Sequence, residues 1–280
     1  MPELPDVLLA AVLGLLGAAV GLASGRLVPM FPRHDPDPDD PAPPPPPGCP
    51  HCGAEIPFVR WLPVVRVRGF ALRGRCPACR TALPPAPAVV AATAAVYVLI
   101  GLRLGAAGAA ASPLWLAALL FLGGVGVLLA VIDVRVHRLP NVLVLPSYPV
   151  ALALMVGAAF TAPAAAASGA AAAAHGDLVR ALIGMAGLAA FYWVLWFIYP
   201  AGMGWGDVKL SGLLGLYLGW GGLSGVVSGT FLAFLFSAVL GLGLMAVGRA
   251  TRKTQIPLGP FMIGGALAVI LLGDPAVLLG

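Results

Sequence analysis

The chain has 280 residues, of which 60% are hydrophobic and only 10% are charged. Soluble domains carry roughly 25% charged residues, so this composition excludes an ordinary soluble globular enzyme. It equally excludes a largely disordered chain. Apolar surface on this scale requires lipid or a partner protein. The net charge of +5 and the four cysteines are unevenly distributed along the chain.

Eight apolar runs are candidates for membrane-crossing helices, because one crossing takes about 20 apolar residues. They cover residues 7–28, 89–104, 114–132, 142–162, 178–199, 208–218, 226–247 and 257–272. The sixth run is the shortest, and a cluster of glycines follows it. The predicted fold class is an all-α integral membrane protein with about eight transmembrane helices.

Lysine and arginine are distributed unequally between the loops. If the N-terminus lies outside, fourteen of the sixteen cations lie on the inner side, and only Arg103 and Arg180 lie on the outer side. Cytoplasmic loops carry such an excess. We therefore predict a multi-pass protein whose N-terminus is outside and whose partner is the lipid bilayer. No nucleic-acid partner is predicted, since no interleaved aromatic and basic surface is found.

The segment after the first apolar run differs from the rest of the chain. The run itself lacks the charged start and cleavage site of a signal peptide, so we expect it to be a retained anchor. Between Arg33 and Pro47, prolines and four acidic residues predict an extended, solvated spacer. The predicted divisions are a first transmembrane helix (1–30), a cytoplasmic loop (31–87) and a multi-helix transmembrane domain (88–280).

All four cysteines lie in this first loop, in two Cys-X-X-Cys turns separated by 23 residues. They are Cys49, Cys52, Cys76 and Cys79. Two such turns supply the four thiolates of a tetrahedral structural zinc site, a closed shell that argues against metal catalysis. Two disulfides are the alternative, but disulfides are rare on the reducing cytoplasmic face. We therefore predict a structural Zn²⁺ in a small, zinc-ribbon-like cytoplasmic loop.

Of the eleven acidic residues, nine lie near the termini or in loops, whereas Asp133 and Asp207 abut the predicted inner face of the membrane. An ionisable group at membrane depth indicates a functional site. Two neighbouring carboxylates can share one proton, so that one activates a water and the other polarises a carbonyl. The alternative is two ordinary helix-end residues, with Asp133 paired to Arg135 or Arg138 and Asp207 capping its helix.

Four motifs, in this order, resemble those of the type IV prepilin peptidases, which are membrane aspartic proteases of the GxGD class. The first comprises the two cysteine turns, with Trp61-Leu62-Pro63 between them and Arg73-Gly74-Arg75 before the second turn. The others are Asp133 followed by Leu139-Pro140, then Gly204-Trp205-Gly206-Asp207-Val208-Lys209-Leu210, and last Ile256-Pro257-Leu258-Gly259-Pro260-Phe261. The resemblance covers almost the whole chain.

This resemblance implies a membrane aspartic endopeptidase that removes the leader peptide from type IV prepilins or pseudopilins. Cleavage would take place at the cytoplasmic face of the bacterial inner membrane. Asp133 and Asp207 would be the catalytic pair, and residues 88–280 the peptidase domain. The supporting motif residues would be Gly204, Gly206, Lys209, Pro140, Pro257, Gly259 and Pro260.

Larger members of the family also N-methylate the new N-terminus with S-adenosylmethionine, and here the match is poorer. The sequence from Gly25 to Pro29 departs from the family pattern, and residues 87–92 lack the usual acidic residue. Asn141 replaces the Asp that usually follows Leu-Pro, which leaves Asp133 as the candidate in that motif. S-adenosylmethionine is therefore expected only if methyltransferase activity is retained.

Two other classes of function were weighed. A proton-coupled transporter could use two intramembrane carboxylates, but it predicts acids near the middle of the membrane and an internal repeat, and the sequence has neither. A catalytically silent, zinc-loop scaffold of a pilus or secretion apparatus is the other. The intact GxGD motif favours the peptidase over both.

Overall fold

The computed structural model describes residues 3–33, 45–66, 70, 74–161, 170–249, 251, 254 and 256–274, with the backbone alone at 170–176 and 201. This part of the chain contains eight α-helices and three isolated β-bridges. The helices are α1 (Leu4–Gly25), α2 (Pro87–Ala111), α3 (Pro113–Val136), α4 (Asn141–Thr161), α5 (Ala170–Ile198), α6 (Trp205–Gly221), α7 (Leu223–Ala246) and α8 (Gly259–Leu272). Most of the predicted spacer, residues 34–44, lies outside the described residues.

Each predicted span corresponds to one of these helices, which confirms the all-α membrane fold. Six helices, α1 to α5 and α7, are long and apolar enough to cross a membrane. The other two are shorter, with 17 residues in α6 and 14 in α8. The sixth run does not continue into the next helix, because Gly222, at φ 140°, separates α6 from α7.

The helices pack mainly as neighbours in sequence: α1 against α2, α5 against α6, and α7 against α8. All three contacts need glycine, as two of them illustrate. A Cβ on Gly184 would lie 2.5 Å from the Gly215 carbonyl oxygen, and one on Gly265 would lie 2.5 Å from the Gly229 carbonyl oxygen. Small residues allow such close backbone approach, which drives helix association in lipid.

The two helices that carry the candidate acids form the centre of the molecule. In α3, Leu122, Leu129 and Ile132 are at most 1% exposed. In α6, residues 210–219 are all buried. Helices that are apolar all round are buried ones, so the sequence of α6 explains how a helix of 17 residues is held among longer neighbours.

The cysteine loop forms a small module packed on the C-terminal end of α1. We call residues 45–83 the cysteine module, of which 67–69 and 71–73 are not described. Its core includes Ile56, Phe70 and Leu83, all at most 2% exposed, and it adjoins Met30 and Phe31 just after α1. Arg33 Nε also donates to the Arg135 carbonyl oxygen at 2.7 Å. Within the module, the Pro45 carbonyl oxygen accepts a hydrogen bond from Arg138 Nη2 at 3.3 Å, which ties the module to the segment after α3.

Candidate active site and metal centre

Asp133 lies in the last turn of α3 and is 4% exposed. The helix ends just after it, because His137 adopts a left-handed conformation (φ 51°) and its N–H donates to the Asp133 carbonyl oxygen at 2.8 Å. Such a residue is a common C-terminal helix cap. Pro140 directly precedes α4, and its carbonyl oxygen accepts the N–H groups of Leu143 and Val144.

Asp207 lies in the first turn of α6 and is 9% exposed. Its Oδ2 accepts the N–H of Gly204, the N-cap residue, at 3.2 Å. The side chain therefore caps its own helix, as the helix-end alternative predicts. That alternative is wrong for Asp133, which forms no ion pair with Arg135 or Arg138 in the described part of the chain. Both acids lie at helix ends and not at mid-helix, unlike the transporter prediction.

Gly259 connects the last motif directly to Asp133. Its N–H donates to Asp133 Oδ2 at 3.1 Å, in a buried hydrogen bond. A Cβ at residue 259 would lie 2.6 Å from that same oxygen, so only glycine allows this approach. Pro257 lies two residues before the start of α8, and Pro260 is the second residue of α8, where proline fits the free first turn of a helix.

Leu139 packs between the segments that surround the two carboxylates. Cβ atoms built on Gly206 and Gly259 would lie 2.9 Å from Leu139 Cβ and 3.4 Å from Leu139 Cδ1, respectively. Leu139 therefore fills the space between the motif of Asp207 and the partner of Asp133. The two carboxylates are also close enough to repel each other electrostatically. The structure thus brings both acids, predicted from separate motifs, into one buried region.

Lys209 links the second motif to the first. Its Nζ donates to Asn141 Oδ1 at 2.9 Å and lies 5.6 Å from the centre of the Trp205 ring. Asn141 is the first residue of α4. At this position a neutral amide, and not a carboxylate, faces the lysine ammonium.

Sequence reasoning missed the packing roles of Leu139 and Tyr192. Tyr192, on α5, is 1% exposed and stacks on Phe234. The Leu-Pro pair was visible in the sequence, but it did not reveal that its leucine fits against two glycines. No local pattern distinguishes Tyr192 from the other aromatic residues of the apolar runs.

The arrangement is chemically suited to activating water. Two buried carboxylates lie near each other, and each accepts one backbone N–H bond through Oδ2. These bonds leave Oδ1 of each acid available, and like charges at close range favour a shared proton. One carboxylate can then act as a base while its protonated partner donates a hydrogen bond.

The four cysteines converge on one point. Their Sγ atoms all lie within 4.8 Å of one another. Cys49 and Cys79 are separated by 3.8 Å between Sγ atoms, and Cys52 and Cys76 by 3.7 Å. A tetrahedron of sulfur atoms about 2.3 Å from a zinc ion has edges of about 3.8 Å. The thiols are free rather than disulfide-bonded, so the cluster fits a metal ion.

The two cysteine turns have the same backbone design. The N–H groups of Gly53 and Arg80 donate to the carbonyl oxygens of Cys49 and Cys76, and both residues are left-handed, at φ 70° and 59°. The hydrogen bond between Cys79 and the Thr81 hydroxyl lowers the pKa of Cys79 to about 6. A thiolate, the form that binds metal, is therefore favoured there near neutral pH.

Comparisons with known proteins cover most of the chain. Residues 120–247 match the type IV leader peptidase family, and residues 20–104 match the bacterial peptidase A24 N-terminal domain. No solved structure matches the chain.

Curated relatives carry the name prepilin leader peptidase/N-methyltransferase. The protein of Burkholderia pseudomallei (strain 1026b) is 32% identical over 241 residues, which cover 82% of this chain and 68% of the relative. That of Aeromonas hydrophila is 33% identical over 238 residues, covering 81% and 71%. That of Pseudomonas aeruginosa is 30% identical over 229 residues, again covering 81% and 71%. This multi-pass membrane protein therefore belongs to the type IV leader peptidase family.

Proposed function

We propose that the protein is a membrane aspartic endopeptidase that removes the leader peptide from type IV prepilins or pseudopilins, with Asp133 and Asp207 as its catalytic pair. The observation that carries the proposal is the burial of both acids around Leu139, with each acid accepting a hydrogen bond from a glycine N–H. Relatives with the printed name prepilin leader peptidase support the choice of substrate.

In the proposed reaction, the ionised carboxylate removes a proton from a water molecule, which attacks the scissile carbonyl carbon. The protonated carboxyl donates a hydrogen bond to the carbonyl oxygen as negative charge develops there. Proton transfer to the leaving nitrogen then breaks the C–N bond. Burial favours this chemistry, because charge interactions are stronger where water is excluded. Gly204 and Gly259 keep the backbone close to Asp207 and Asp133, respectively, and Gly206 leaves room for Leu139.

Lys209, Pro140, Pro257 and Pro260 support this site in the proposal. Lys209 ties α6 to Asn141 at the start of α4, which fixes the helix that presents Asp207. The three prolines mark the starts of α4 and α8, the helices that follow or face Asp133. None of these four side chains is assigned a proton-transfer step.

The four-cysteine cluster is proposed to hold a structural Zn²⁺. Cys49, Cys52, Cys76 and Cys79 would be its ligands, and the ion would stabilise the fold of the module without taking part in catalysis, because four thiolates complete its coordination. Metal analysis of the purified protein under reducing conditions tests this role. One zinc per chain is expected, and its absence would contradict the proposal.

Methyl transfer is not part of the proposed function. The printed names of the relatives include N-methyltransferase, which would require S-adenosylmethionine. However, the first turn of α2, where the family resemblance places an acidic residue, has none, so this half of the chain does not fit that group. Mass spectrometry of the processed pilin should find an unmethylated N-terminus, and a methylated one would overturn this part of the proposal.

For the topology, we propose an N-terminus outside and an active site facing the cytoplasm of the bacterial inner membrane. The fourteen-to-two division of cations supports this orientation. The proposed domains are a first transmembrane helix (1–30), the cytoplasmic loop (31–87) and the peptidase domain (88–280).

The experiment compares processing of a prepilin by membranes that contain the wild type, Asp133→Asn or Asp207→Asn. An amide cannot act as the base, so both variants should leave the precursor uncleaved. The matched control is Asp177→Asn, which makes the same chemical change at a residue paired with Arg180 on α5 and should cleave normally. Full processing by either active-site variant would refute the assignment. No processing by the wild type would favour a silent scaffold.

A further inference from the structure

A β-hairpin projects from the cysteine module between the two cysteine turns. We call residues 58–65 the tip hairpin. Phe58 and Val65 form an antiparallel bridge, and the Val59 N–H donates to the Val64 carbonyl oxygen at 2.8 Å. Below the bridge, the Arg66 N–H donates to the Pro57 carbonyl oxygen at 2.9 Å. These bonds fix the direction in which the intervening residues point.

The base of the tip hairpin packs against the residues that follow the C-terminal end of α1. Val65 is 6% exposed and belongs to the core of the module. The ring of Phe58 lies 6.2 Å from that of Phe31, which follows the short 3-10 turn Val28–Met30 after α1. The tip hairpin therefore begins where the polypeptide leaves the membrane.

The end of the tip hairpin is apolar and exposed. Trp61 is 68% exposed, Leu62 46% and Val64 50%. On the helices, exposed apolar side chains face lipid, but these three belong to the module outside the spans. Large apolar side chains clustered at a surface indicate an interaction. The hydrogen-bonded turn leaves them no route into the module's own core.

Positive charge accompanies this apolar cluster. Arg60 Cζ lies 5.5 Å from the centre of the Trp61 ring, and both Arg60 and Arg66 are exposed. Neither forms an ion pair with any described residue, and residues 56–66 include no acid. Tryptophan favours the membrane–water interface, and arginine there attracts anionic lipid headgroups. The surface is thus complementary to an anionic, amphipathic layer.

The tip hairpin is long enough to reach such a layer. Trp61 is three residues beyond Phe58, and since residues 60 and 61 form a turn, the extended length of roughly 10 Å is the upper limit of its distance from the base. The headgroup region on each side of a bilayer is about 5–8 Å thick. A hairpin based at the end of α1 can therefore place its tryptophan among the headgroups next to the helices.

We propose that the tip hairpin docks into the headgroup layer of the bilayer, with Trp61, Leu62 and Val64 inserted and with Arg60 and Arg66 bound to anionic phospholipid phosphates. This contact fixes the cysteine module against the membrane near the end of α3, where Arg138 Nη2 donates to the module's Pro45 carbonyl oxygen at 3.3 Å. The proposal does not depend on peptidase activity.

The test uses the full-length protein in vesicles of phosphatidylethanolamine and phosphatidylglycerol. Some lipids carry a nitroxide on the headgroup, which quenches tryptophan fluorescence at that depth. The contribution of Trp61 is the difference between the wild type and Trp61→Phe. The fluorescence difference between the wild type and Trp193→Phe serves as the control for a tryptophan on a membrane-spanning helix, because Trp193 is half-exposed on the long helix α5. Zinc content checks that each variant keeps its module folded.

The expected result is strong quenching of the Trp61 contribution by the headgroup nitroxide, together with protection from acrylamide. Replacing both arginines (Arg60→Gln with Arg66→Gln) should lower the ratio of docked to undocked hairpin by about fivefold per arginine. Arg103→Gln, which removes one positive charge on α2, should have no effect. Vesicles of phosphatidylcholine alone should reproduce the loss seen with the double variant.

Two results would overturn the proposal. One is a Trp61 contribution that acrylamide quenches as well in vesicles as in detergent and that the nitroxide does not reach. The other is protection of Trp61 that arises only when a prepilin is added, because the tip hairpin would then be a substrate surface. Neither result depends on whether the protein cleaves its substrate.

Discussion

The aspartate pair and the cysteine cluster both unite residues from different parts of the chain, but they are built differently. The paired cysteines are 24 and 30 residues apart, and each turn supplies two ligands by its local geometry. Asp133 and its partner Gly259 are 126 residues apart and meet only because α3 and α8 pack together. The cluster therefore depends on a small module, whereas the acid pair depends on the whole bundle.

Their surroundings differ in the same way. Cys52 and Cys79 lie at the module surface, but Asp133 and Asp207 are buried among the most buried helices. A change in the cluster should alter metal binding and local folding. A change beside the acids should alter chemistry while the fold persists. The following predictions test that contrast.

The largest effect is expected for Cys76→Ser. Structural zinc supplies about 10 kcal/mol or more of folding free energy in small modules, so loss of one buried thiolate should release the metal and unfold the cysteine module. Hydrogen exchange should rise in residues 48–66 and 74–83 while α3 to α8 stay protected. His51→Ala, an exposed change within the first cysteine turn, should keep its zinc. Exchange that rises equally throughout the bundle would remove the distinction between the two regions.

A smaller effect is expected for Gly259→Ala. The new Cβ would lie 2.6 Å from Asp133 Oδ2, so the carboxylate has to move, and a displacement of about 1 Å at a catalytic group can cost roughly a hundredfold in rate. We expect kcat/KM to fall about ten- to a hundredfold with zinc content unchanged. Gly264→Ala is the matched control on the same helix, because its Cβ meets nothing within 4 Å. Equal activity of the two variants would contradict the geometry.

The smallest effect is expected for Arg80→Gly, which gives the second cysteine turn the glycine that the first turn already has. The effect is a change in the stability of the module. Both turns need a left-handed residue after the second cysteine, and only the first has glycine there. Left-handed backbone costs a non-glycine residue about 1–2 kcal/mol, partly offset by the chain entropy of glycine. Arg80→Gly should therefore stabilise the module by about 0.5–1 kcal/mol, measured by chelator-induced unfolding. Destabilisation would mean that the arginine's charge matters more than its conformation.

Sequence alone predicted the cysteine cluster, since ligand spacing within a turn is local. It also predicted the eight helices, because apolar runs bounded by glycine, proline or charge are visible in the sequence. The sequence predicted the helix ends less accurately. The predicted end of α2 lay next to Gly105, but the helix continues past a break at Gly105 to Ala111. Apolar length does not distinguish a kinked helix from a finished one.

The candidate acids were found because carboxylates are rare in so apolar a chain, and the sequence predicted them as a pair, but it did not predict the contacts that position them. Spacing could not show that Leu139 packs against both Gly206 and Gly259, nor that Gly259 donates to Asp133. Those contacts arise from the packing of α3, α6 and α8, which no local pattern specifies. The family resemblance supplied the pairing, and the packing supplies its physical reason.

The central claim is that Asp133 and Asp207 act together on one water molecule. It is tested most directly by kcat/KM for prepilin cleavage by the wild type, Asp133→Asn, Asp207→Asn and the double variant. Each single change should reduce the rate at least about a hundredfold, the scale of lost general acid–base catalysis. The double variant should fall no further, because groups that act as a unit are not additive. Losses that multiply in the double variant, or one single variant with wild-type activity, would contradict the account.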